Sequence, residues 1–251
     1  MHKYFDVNEA GHSIRCKLYC NDIRGIKKVI LFGHGFGGHK DTKAAERFAE
    51  AVLSKYKGVA VMTFNWPCHG DDVKKKLVLA DCDTYLSLLI AYIKKQYGTE
   101  ELYAYATSFG GYLFLKYISE HANPFRKLVL RCPAVNMYQS LTERVITPQE
   151  AEKLEKGKEV LVGFDRKIAV NRQFLADLQA ADITRRDYLD YAEDILILHG
   201  TKDEIVPLET VQTFADNNLI ECEAVEKADH RFQDPAIMGA AIKRMLAFLN
   251  L

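Results

Sequence analysis

The sequence lacks a surplus of charge of either sign, because 34 lysine and arginine residues balance 34 aspartate and glutamate residues. A protein that binds nucleic acid or an anionic membrane surface through its charge usually carries a clear excess of basic residues. We therefore expect no nucleic acid and no membrane among the partners. The charge balance does not distinguish a monomer from a homodimer, and both remain open.

Long hydrophobic runs and paired cysteines are also missing. No apolar run approaches the ~20 residues that span a bilayer, and residues 1–6 do not have the charged start and apolar core of a secretory signal. The six cysteines have neither the spacing of a zinc site nor the density of a disulfide scaffold. These absences predict a cytoplasmic protein with reduced thiols. Its 251 residues, 48% of them hydrophobic, predict a single domain that spans 1–251.

The hydrophobic pattern predicts an α/β fold. Alternating segments at 4–7 and 14–19 predict an antiparallel hairpin, and after them short apolar runs alternate with helical stretches. Such alternation is typical of a mainly parallel, twisted sheet with helices on both faces. Asp81 is a candidate N-cap for the second helix. The predicted strands are 28–33, 59–64, 101–106, 127–132, 194–199 and 220–225, and the predicted helices are 43–56, 81–97, 109–120, 207–217 and 235–249.

The alternation stops in one interval, which divides the domain into a core and an insertion. The predicted core is 1–134 and 192–251, and the predicted insertion is about 135–191. Within the insertion, Thr147 and Glu150 have the spacing of a capping box, 159–164 is a predicted short strand, and Asn171 is a candidate helix cap.

A serine between small residues is the strongest chemical signal. The apolar segment 103–107 runs into Ser108 and an apolar helix follows, with Ala106 two residues before the serine and Gly110 two residues after it. A strand that turns sharply into a helix holds a serine in a strained conformation with its hydroxyl exposed, and small residues at those two positions let the turn close. Ser108 is therefore the candidate nucleophile.

Three further segments occur in the order that such a serine requires. An apolar strand runs into the glycine-rich loop 33–38, another ends shortly before Asp203, and His230 lies in a loop before the last helix. A serine hydroxyl needs a base within hydrogen-bond reach and a third group that fixes the tautomer of that base. His230 is the candidate base and Asp203 the candidate acid. Alternatively, Asp203 caps the helix near Pro207 and His230 is an ordinary loop histidine.

In the chain order Ser, Asp, His, these segments resemble the α/β-hydrolase superfamily over nearly the whole sequence. The resemblance ranks Asp203 above its acidic neighbours Glu204 and Asp229, because the superfamily pattern His-Gly-x-x-Asp-x-x-Val-Pro has its acid at that position. It also implies that the backbone amides of Phe36 and Phe109 bind the oxyanion, and that the insertion lies over the active site as a cap.

Loop 36–41 resembles the oxyanion loop of the small bacterial cinnamoyl and feruloyl esterases, to which monoacylglycerol lipases and serine aminopeptidases are related. Those esterases carry Gly-His-Ser where this chain has Ala-Thr-Ser at 106–108. The cap supplies four aromatic residues as candidate walls of a substrate pocket, unless they simply pack against the core. They are Tyr138, Phe164, Phe174 and Tyr188.

The sequence predicts neither a metal nor a cofactor. His34, His39 and His69 could lie near the mouth of the site, but there is no helical His-Glu-x-x-His pair and no cysteine pair with ligand spacing. We expect His34 to hold the oxyanion loop by hydrogen bonds instead.

Residues and resemblance together predict a serine carboxylesterase that cleaves small or medium esters, aromatic acyl esters included, through an acyl-enzyme on Ser108. A peptidase or thioesterase with the same triad is one alternative. A hydrolase-fold protein that binds a small molecule without catalysis is another.

Overall fold

The computed structural model describes residues 1–72, 74, 76–163 and 166–251. The strands in this part of the chain are β1 (His2–Glu9), β2 (His12–Cys20), β3 (Lys28–Gly33), β4 (Val59–Phe64), β5 (Leu102–Thr107), β6 (Leu128–Arg131), β7 (Val160–Val162), β8 (Ile168–Val170), β9 (Ile195–Gly200) and β10 (Glu221–Val225). The helices are α1 (Lys43–Lys55), α2 (Leu79–Tyr97), α3 (Phe109–Glu120), α4 (Met137–Arg144), α5 (Pro148–Glu155), α6 (Arg172–Ala180), α7 (Leu208–Asn217) and α8 (Pro235–Leu249).

Eight of the described strands form one sheet, in the order β1-β2-β4-β3-β5-β6-β9-β10. The pairs β1–β2 and β2–β4 are antiparallel, and every other neighbouring pair is parallel. Strands β3 to β6 and β9 are buried along nearly their whole length, which matches their continuous apolar sequences. The predicted N-terminal hairpin and the mainly parallel sheet are therefore confirmed.

Helices cover both faces of the sheet. Successive side chains of a strand point to opposite faces, so Ile30 and Phe32 pack with α1 and α8 while Val29 and Leu31 pack with α2, α3 and α7. Two buried apolar clusters result, one on each face. Among the described residues, no helix is long and apolar enough to cross a membrane.

Helix α2 differs from the prediction at its start. It begins at Leu79, and its N-cap residue Val78 makes no side-chain capping bond. Asp81 lies inside the first turn, where its carboxylate pairs with the Lys74 ammonium at 2.6 Å. The prediction of Asp81 as the cap is wrong, because an acidic residue is also favourable within the first turn, next to the positive end of the helix.

In its described residues, the segment between β6 and β9 forms three short α-helices, α4 to α6, and the hairpin β7–β8, and it packs over α3. Its predicted capping box is present at the start of α5, and Asn171 caps α6 through the Phe174 amide. The predicted strand 159–164 is shorter, as β7, and it pairs with β8, which the sequence did not predict. The Tyr112 hydroxyl donates to the Ala181 carbonyl at 3.0 Å. The boundaries 135 and 191 of the cap stay a prediction.

Helix α3 packs closely against the end of β3 because α3 has a glycine, Gly110, at the contact. A Cβ atom at Gly110 would lie 2.5 Å from the carbonyl oxygen of Gly33 and 2.7 Å from that of His34. Both obstacles are backbone atoms, which cannot rotate away. Gly239 in α8, by contrast, has room for a side chain, because no atom would lie within 4 Å of a Cβ atom added there.

Replacing Gly110 with alanine should lower the free energy of unfolding by about 1–3 kcal/mol, because an extra carbon there forces the two backbones apart. The matched control Gly239→Ala should raise it by roughly 0.5–1 kcal/mol, because alanine is the better helix former at an open, exposed position. Urea unfolding of both variants measures the difference. A Gly110→Ala protein as stable as the wild type would contradict the close approach.

Candidate active site

Ser108 lies at the sharp turn from β5 into α3, with φ 51° and ψ −120°. This conformation is uncommon for a residue with a side chain and persists only where the surroundings enforce it. Here the Ser108 amide donates to the Arg131 carbonyl at 3.1 Å. The Ser108 carbonyl accepts from the amides of Tyr112 at 3.1 Å and Ala134 at 3.2 Å. Backbone bonds to a strand, a helix and a loop thus fix the serine.

His230 connects the serine to a carboxylate. Its Nδ1 lies 2.7 Å from Oδ2 of Asp203, and its Nε2 lies 2.9 Å from Oγ of Ser108. A carboxylate can only accept, so Nδ1 carries the proton and the lone pair of Nε2 faces the serine hydroxyl. The structure therefore brings the three predicted residues together in the arrangement that a general base requires.

Asp203 uses its two oxygens for different purposes. Oδ2 accepts from His230, while Oδ1 accepts from the amides of Ile205 and Val206, each at 2.9 Å. Burial raises the pKa of Asp203, but the hydrogen bonds from His230 and from the Val206 amide outweigh it, so the pKa lies below its ordinary value. Asp203 is not the cap of α7, whose N-cap is Pro207.

A second histidine lies against the same carboxylate. Nε2 of His199 is 2.9 Å from the Val206 carbonyl and 3.3 Å from Oδ2 of Asp203. Both are acceptors, so Nε2 carries the proton and the buried Nδ1 has no hydrogen-bond partner. Burial lowers the pKa of His199, which keeps the ring neutral. Sequence analysis did not single out His199, although it is the histidine of the His-Gly-x-x-Asp pattern.

Cys132 also lies beside the triad. Its Sγ, a carboxylate oxygen of Asp203 and a ring nitrogen of His230 are all within 4.8 Å of one another. Burial raises the pKa of the Cys132 thiol well above its ordinary value, and the Asp203 carboxylate acts in the same direction. A metal ion here would need a thiolate and would occupy the atoms that Asp203 and His230 use for each other. The triad and a metal site therefore exclude one another at this position.

Two backbone amides next to Ser108 are available to an oxyanion. Phe109 is the first residue of α3, and the first amides of a helix have no partner within it. In the described part of the chain, neither the Phe109 nor the Phe36 amide has an intramolecular acceptor. A Cβ atom at Gly35 would lie 3.1 Å from Cβ of Ser108, so the loop that carries Phe36 runs directly beside the serine. Their role in binding an oxyanion stays a prediction.

His34 holds the loop that carries Phe36. Its Nδ1–H donates to the Gly35 carbonyl at 2.8 Å, and its Nε2 accepts from the Trp66 amide at 3.4 Å. The Trp66 indole donates in turn to the His34 carbonyl at 2.9 Å. Burial lowers the pKa of His34 well below its ordinary value, so the ring stays neutral. The predicted hydrogen bonds of His34 are confirmed.

His69 packs behind the two phenylalanines. Its ring stacks on Phe109 at 6.1 Å between centroids and meets Phe36 edge-on at 5.6 Å. Nδ1–H donates to the Pro67 carbonyl at 2.8 Å, whereas the buried Nε2 has no partner. Burial lowers the pKa of His69 to about 4. In the described part of the chain, His69 belongs to no group of side chains that could hold a metal ion, and neither does His34 or His39.

A cavity of about 650 Å³ opens in front of Ser108 and His230. Its walls include Phe36 of the glycine-rich loop 33–38 and both apolar and charged side chains. Helix α4 and the residues beside it supply Ala134, Met137, Leu141 and Val145, and the other apolar wall residues are Phe32, Ala44 and Ile205. The first helix of the insertion thus forms part of the pocket wall.

The cap aromatics do not line this cavity, and the prediction that they do is corrected for the three that the structure describes. Tyr188 is fully buried and donates its hydroxyl to the Leu115 carbonyl at 3.2 Å. Phe174 is buried against the edge of Phe109, and Tyr138 packs on the main core. Tyr188 and Phe174 thus attach the insertion to α3, and all three residues pack against the core, which was the alternative to lining the pocket. Phe164 lies outside the described residues.

Comparison with known proteins agrees with this architecture. Residues 24–185 match the family model described as serine aminopeptidase, S33. The chain is similar in structure to Est1E from Butyrivibrio proteoclasticus with ferulic acid bound, at a TM-score of 0.78 and 18% identity over 98% of this chain and 100% of that one. It is also similar to mouse alpha/beta hydrolase domain-containing protein 10, at a TM-score of 0.70 and 16% identity over 99% and 98% of the two chains.

A third similar structure is the esterase Pf2001 of Pyrococcus furiosus, at a TM-score of 0.70 and 16% identity over 100% of this chain and 92% of that one. No curated protein matches the sequence. Identities this low show the shared fold, which is the α/β-hydrolase fold.

The buried ring of His69 should make stability depend on pH. The pKa is about 4 in the folded protein against 6.5 when exposed, so the unfolded chain binds more protons between these values and stability falls as the pH is lowered. The wild type should lose about 2 kcal/mol more than His69→Gln between about pH 7.5 and pH 4.5.

Urea unfolding over this pH range measures the effect. The difference in free energy of unfolding between the two proteins at about pH 7.5 serves as the control. At that pH His69 is neutral in both the folded and the unfolded chain, so the difference reports only the packing that the substitution removes. Parallel stability curves for the two proteins would contradict a buried neutral His69.

Proposed function

Because the chain belongs to the serine aminopeptidase S33 family of α/β-hydrolases, we propose that it is a serine carboxylesterase that forms an acyl-enzyme on Ser108. The observation that supports this most strongly is the position of His230 between two partners. Its ring lies 2.7 Å from Asp203 and 2.9 Å from the Ser108 hydroxyl, which is held at a strained turn. These are the distances over which a base can remove the serine proton.

In the first half of the reaction, Oγ of Ser108 attacks the ester carbonyl carbon while Nε2 of His230 takes the hydroxyl proton. The carbonyl oxygen becomes an oxyanion, which the amides of Phe36 and Phe109 would stabilise. Each such donor is typically worth ~3 kcal/mol in the transition state. Asp203 stays ionised and stabilises the protonated ring. The tetrahedral intermediate then expels the alcohol, which leaves with the proton from Nε2, and the acyl group remains on Ser108.

In the second half, a water molecule replaces the alcohol. His230 removes a proton from the water as its oxygen attacks the acyl carbon, and the same oxyanion site receives the negative charge. Collapse of this intermediate releases the carboxylic acid and returns the proton to Ser108. The cycle consumes one water per ester and needs no cofactor.

Pocket size and lining support a small or medium substrate. A cavity of about 650 Å³ lies within the range of small-molecule sites, and the side chains from α4 give it an apolar wall for an acyl group. Phe36 adds an aromatic ring beside the loop amides. The fold is shared with Est1E, whose structure contains ferulic acid, and this supports aromatic acyl groups among the substrates to test.

An aminopeptidase is the second candidate, favoured by the description of the family. Such an enzyme needs an anionic group for the free α-ammonium of its substrate. Among the described residues, Glu204 and Asp229 supply the carboxylates of the cavity lining. An oxygen of Asp229 already accepts from the Gln233 amide at 2.9 Å. A thioesterase would use the same triad. Comparing the hydrolysis of an ester, a thioester and an aminoacyl arylamide distinguishes the esterase, the thioesterase and the aminopeptidase.

Turnover should require the Ser108 hydroxyl. With a p-nitrophenyl ester, the wild type should release a burst of p-nitrophenol equal to the enzyme present, and Ser108→Ala should lower kcat by at least about 10³-fold. Ser119→Ala is the matched control, because Ser119 lies at the other end of the same helix, away from the cavity, and its hydroxyl donates to the Lys116 carbonyl. It should keep the burst.

The same assay with a thioester and an aminoacyl arylamide identifies the bond that is cleaved. We expect the ester to be hydrolysed with the highest kcat/KM and the arylamide not to be hydrolysed. Preferred cleavage of the arylamide would establish the aminopeptidase instead. Full activity in Ser108→Ala would overturn the esterase, the aminopeptidase and the thioesterase alike, because all three use this serine.

A further inference from the structure

One buried cation of the active-site cavity has no role in the mechanism above. Arg131 is the last residue of β6, its side chain lines the cavity, and only 6% of its surface is exposed. Its sequence context gives no functional signal, because Arg131 ends an apolar strand that is otherwise part of the core.

The sheet register places Arg131 close to the nucleophile. Its Cα pairs with that of Thr107, the residue before Ser108, and paired residues of neighbouring strands point to the same face. Val129, two residues earlier in β6, belongs to the cluster under α1 and α8. Arg131 and Thr107 therefore lie on that face, and both contribute to the cavity wall.

The guanidinium of Arg131 is only partly satisfied. One Nη1–H donates to the Arg231 carbonyl at 2.5 Å, and the group lies 5.4 Å from the centre of the Phe232 ring. Nε is buried and has no hydrogen-bond partner. No carboxylate of the described residues lies within ion-pair distance of Arg131.

The other buried cations of the described chain are paired. Lys17 lies 3.2 Å from a carboxylate oxygen of Asp41, and Lys40 lies 2.6 Å from one of Asp71. A buried charge without a counter-charge is costly, so natural proteins usually pair it or use it to bind a ligand. Arg131 is unpaired among the described residues and lines the cavity that contains Ser108.

We infer that Arg131 binds a carboxylate of the substrate, so that the preferred substrates are esters that carry a free carboxylate in addition to the bond that is cleaved. Guanidinium and carboxylate match in charge and in planar geometry. Glu204 and Asp229 also line the cavity and would repel a doubly charged phosphate more than a carboxylate. This inference rests on the proposed ester hydrolysis and adds the chemical class of its substrate.

Arg131 also has a structural contact that a test must separate from binding. Its bond to the Arg231 carbonyl holds the backbone directly after His230. Loss of that bond alone would slow the hydrolysis of all esters by a similar factor. Loss of a carboxylate site would slow anionic esters much more than neutral ones, so the ratio of the two rates is the informative quantity.

The experiment compares kcat/KM for matched ester pairs in two arms. In one arm the carboxylate is in the acyl half, with mono-p-nitrophenyl glutarate against p-nitrophenyl valerate. In the other it is in the alcohol half, with carboxymethyl butyrate against propyl butyrate. The wild type should prefer the anionic ester about tenfold or more in one arm, and Arg131→Met should abolish that preference while Arg131→Lys keeps part of it.

Arg126→Met is the matched control, because Arg126 is an exposed arginine shortly before β6 that pairs with Glu101 at 3.1 Å. It should leave the preference intact. An equal or greater preference for neutral esters in both arms, or an unchanged preference in Arg131→Met, would overturn the inference.

Binding of free glutarate, measured by calorimetry on wild type and Arg131→Met, separates this inference from the proposed function. Binding that depends on Arg131 in a protein that cleaves no ester would support the carboxylate site and refute the esterase. Active ester hydrolysis without anion preference and without glutarate binding would refute the carboxylate site and leave the esterase standing.

Discussion

The close contact between α3 and the end of β3 is the constraint on which the candidate site depends. Gly110 lets the helix backbone lie against the carbonyl groups of Gly33 and His34, at distances that a side chain would prevent. This approach brings the first amide of α3 beside the loop that carries Phe36. At the adjoining turn, backbone hydrogen bonds hold Ser108 at its positive φ, and its hydroxyl lies 2.9 Å from His230. One glycine thus lets the first turn of α3, with the Phe109 amide, lie beside the sheet end and the loop that carries Phe36.

Near this contact, the buried histidines are neutral whereas the carboxylate of Asp203 is ionised. His34, His69 and His199 are kept neutral by burial, which lowers the pKa of each ring. Asp203 is kept ionised by the hydrogen bonds that it accepts. This division leaves His230, at 17% side-chain exposure, as the ring that contacts both the serine and the carboxylate. In the proposed reaction, charge would therefore develop where the fold already supplies donors and an anion, which is the condition for electrostatic catalysis.

Most of the fold and the triad could be predicted from the sequence because they depend on local patterns and on chain order. The apolar runs form parallel strands, and the residues that follow such strands lie at the same edge of the sheet. Ser108, Asp203 and His230 all follow strands of this kind, so they were expected to lie close together. The wall of the pocket could not be predicted in the same way. Tyr188 and Phe174 contribute apolar area that fits either a pocket or a core, and only tertiary packing decides between them. The position of Arg131 in the cavity wall could not be predicted either, because the sequence of an apolar strand does not show that its last residue faces a cavity.

Intact-mass analysis after treatment with a fluorophosphonate, which reacts with an activated serine, shows whether Ser108 is a nucleophile. We expect one adduct per chain on the wild type, none on Ser108→Ala, and strongly slowed labelling of His230→Ala, because the base is missing. Rapid labelling that persists in His230→Ala, or a folded wild type that does not react at all, would contradict an activated Ser108.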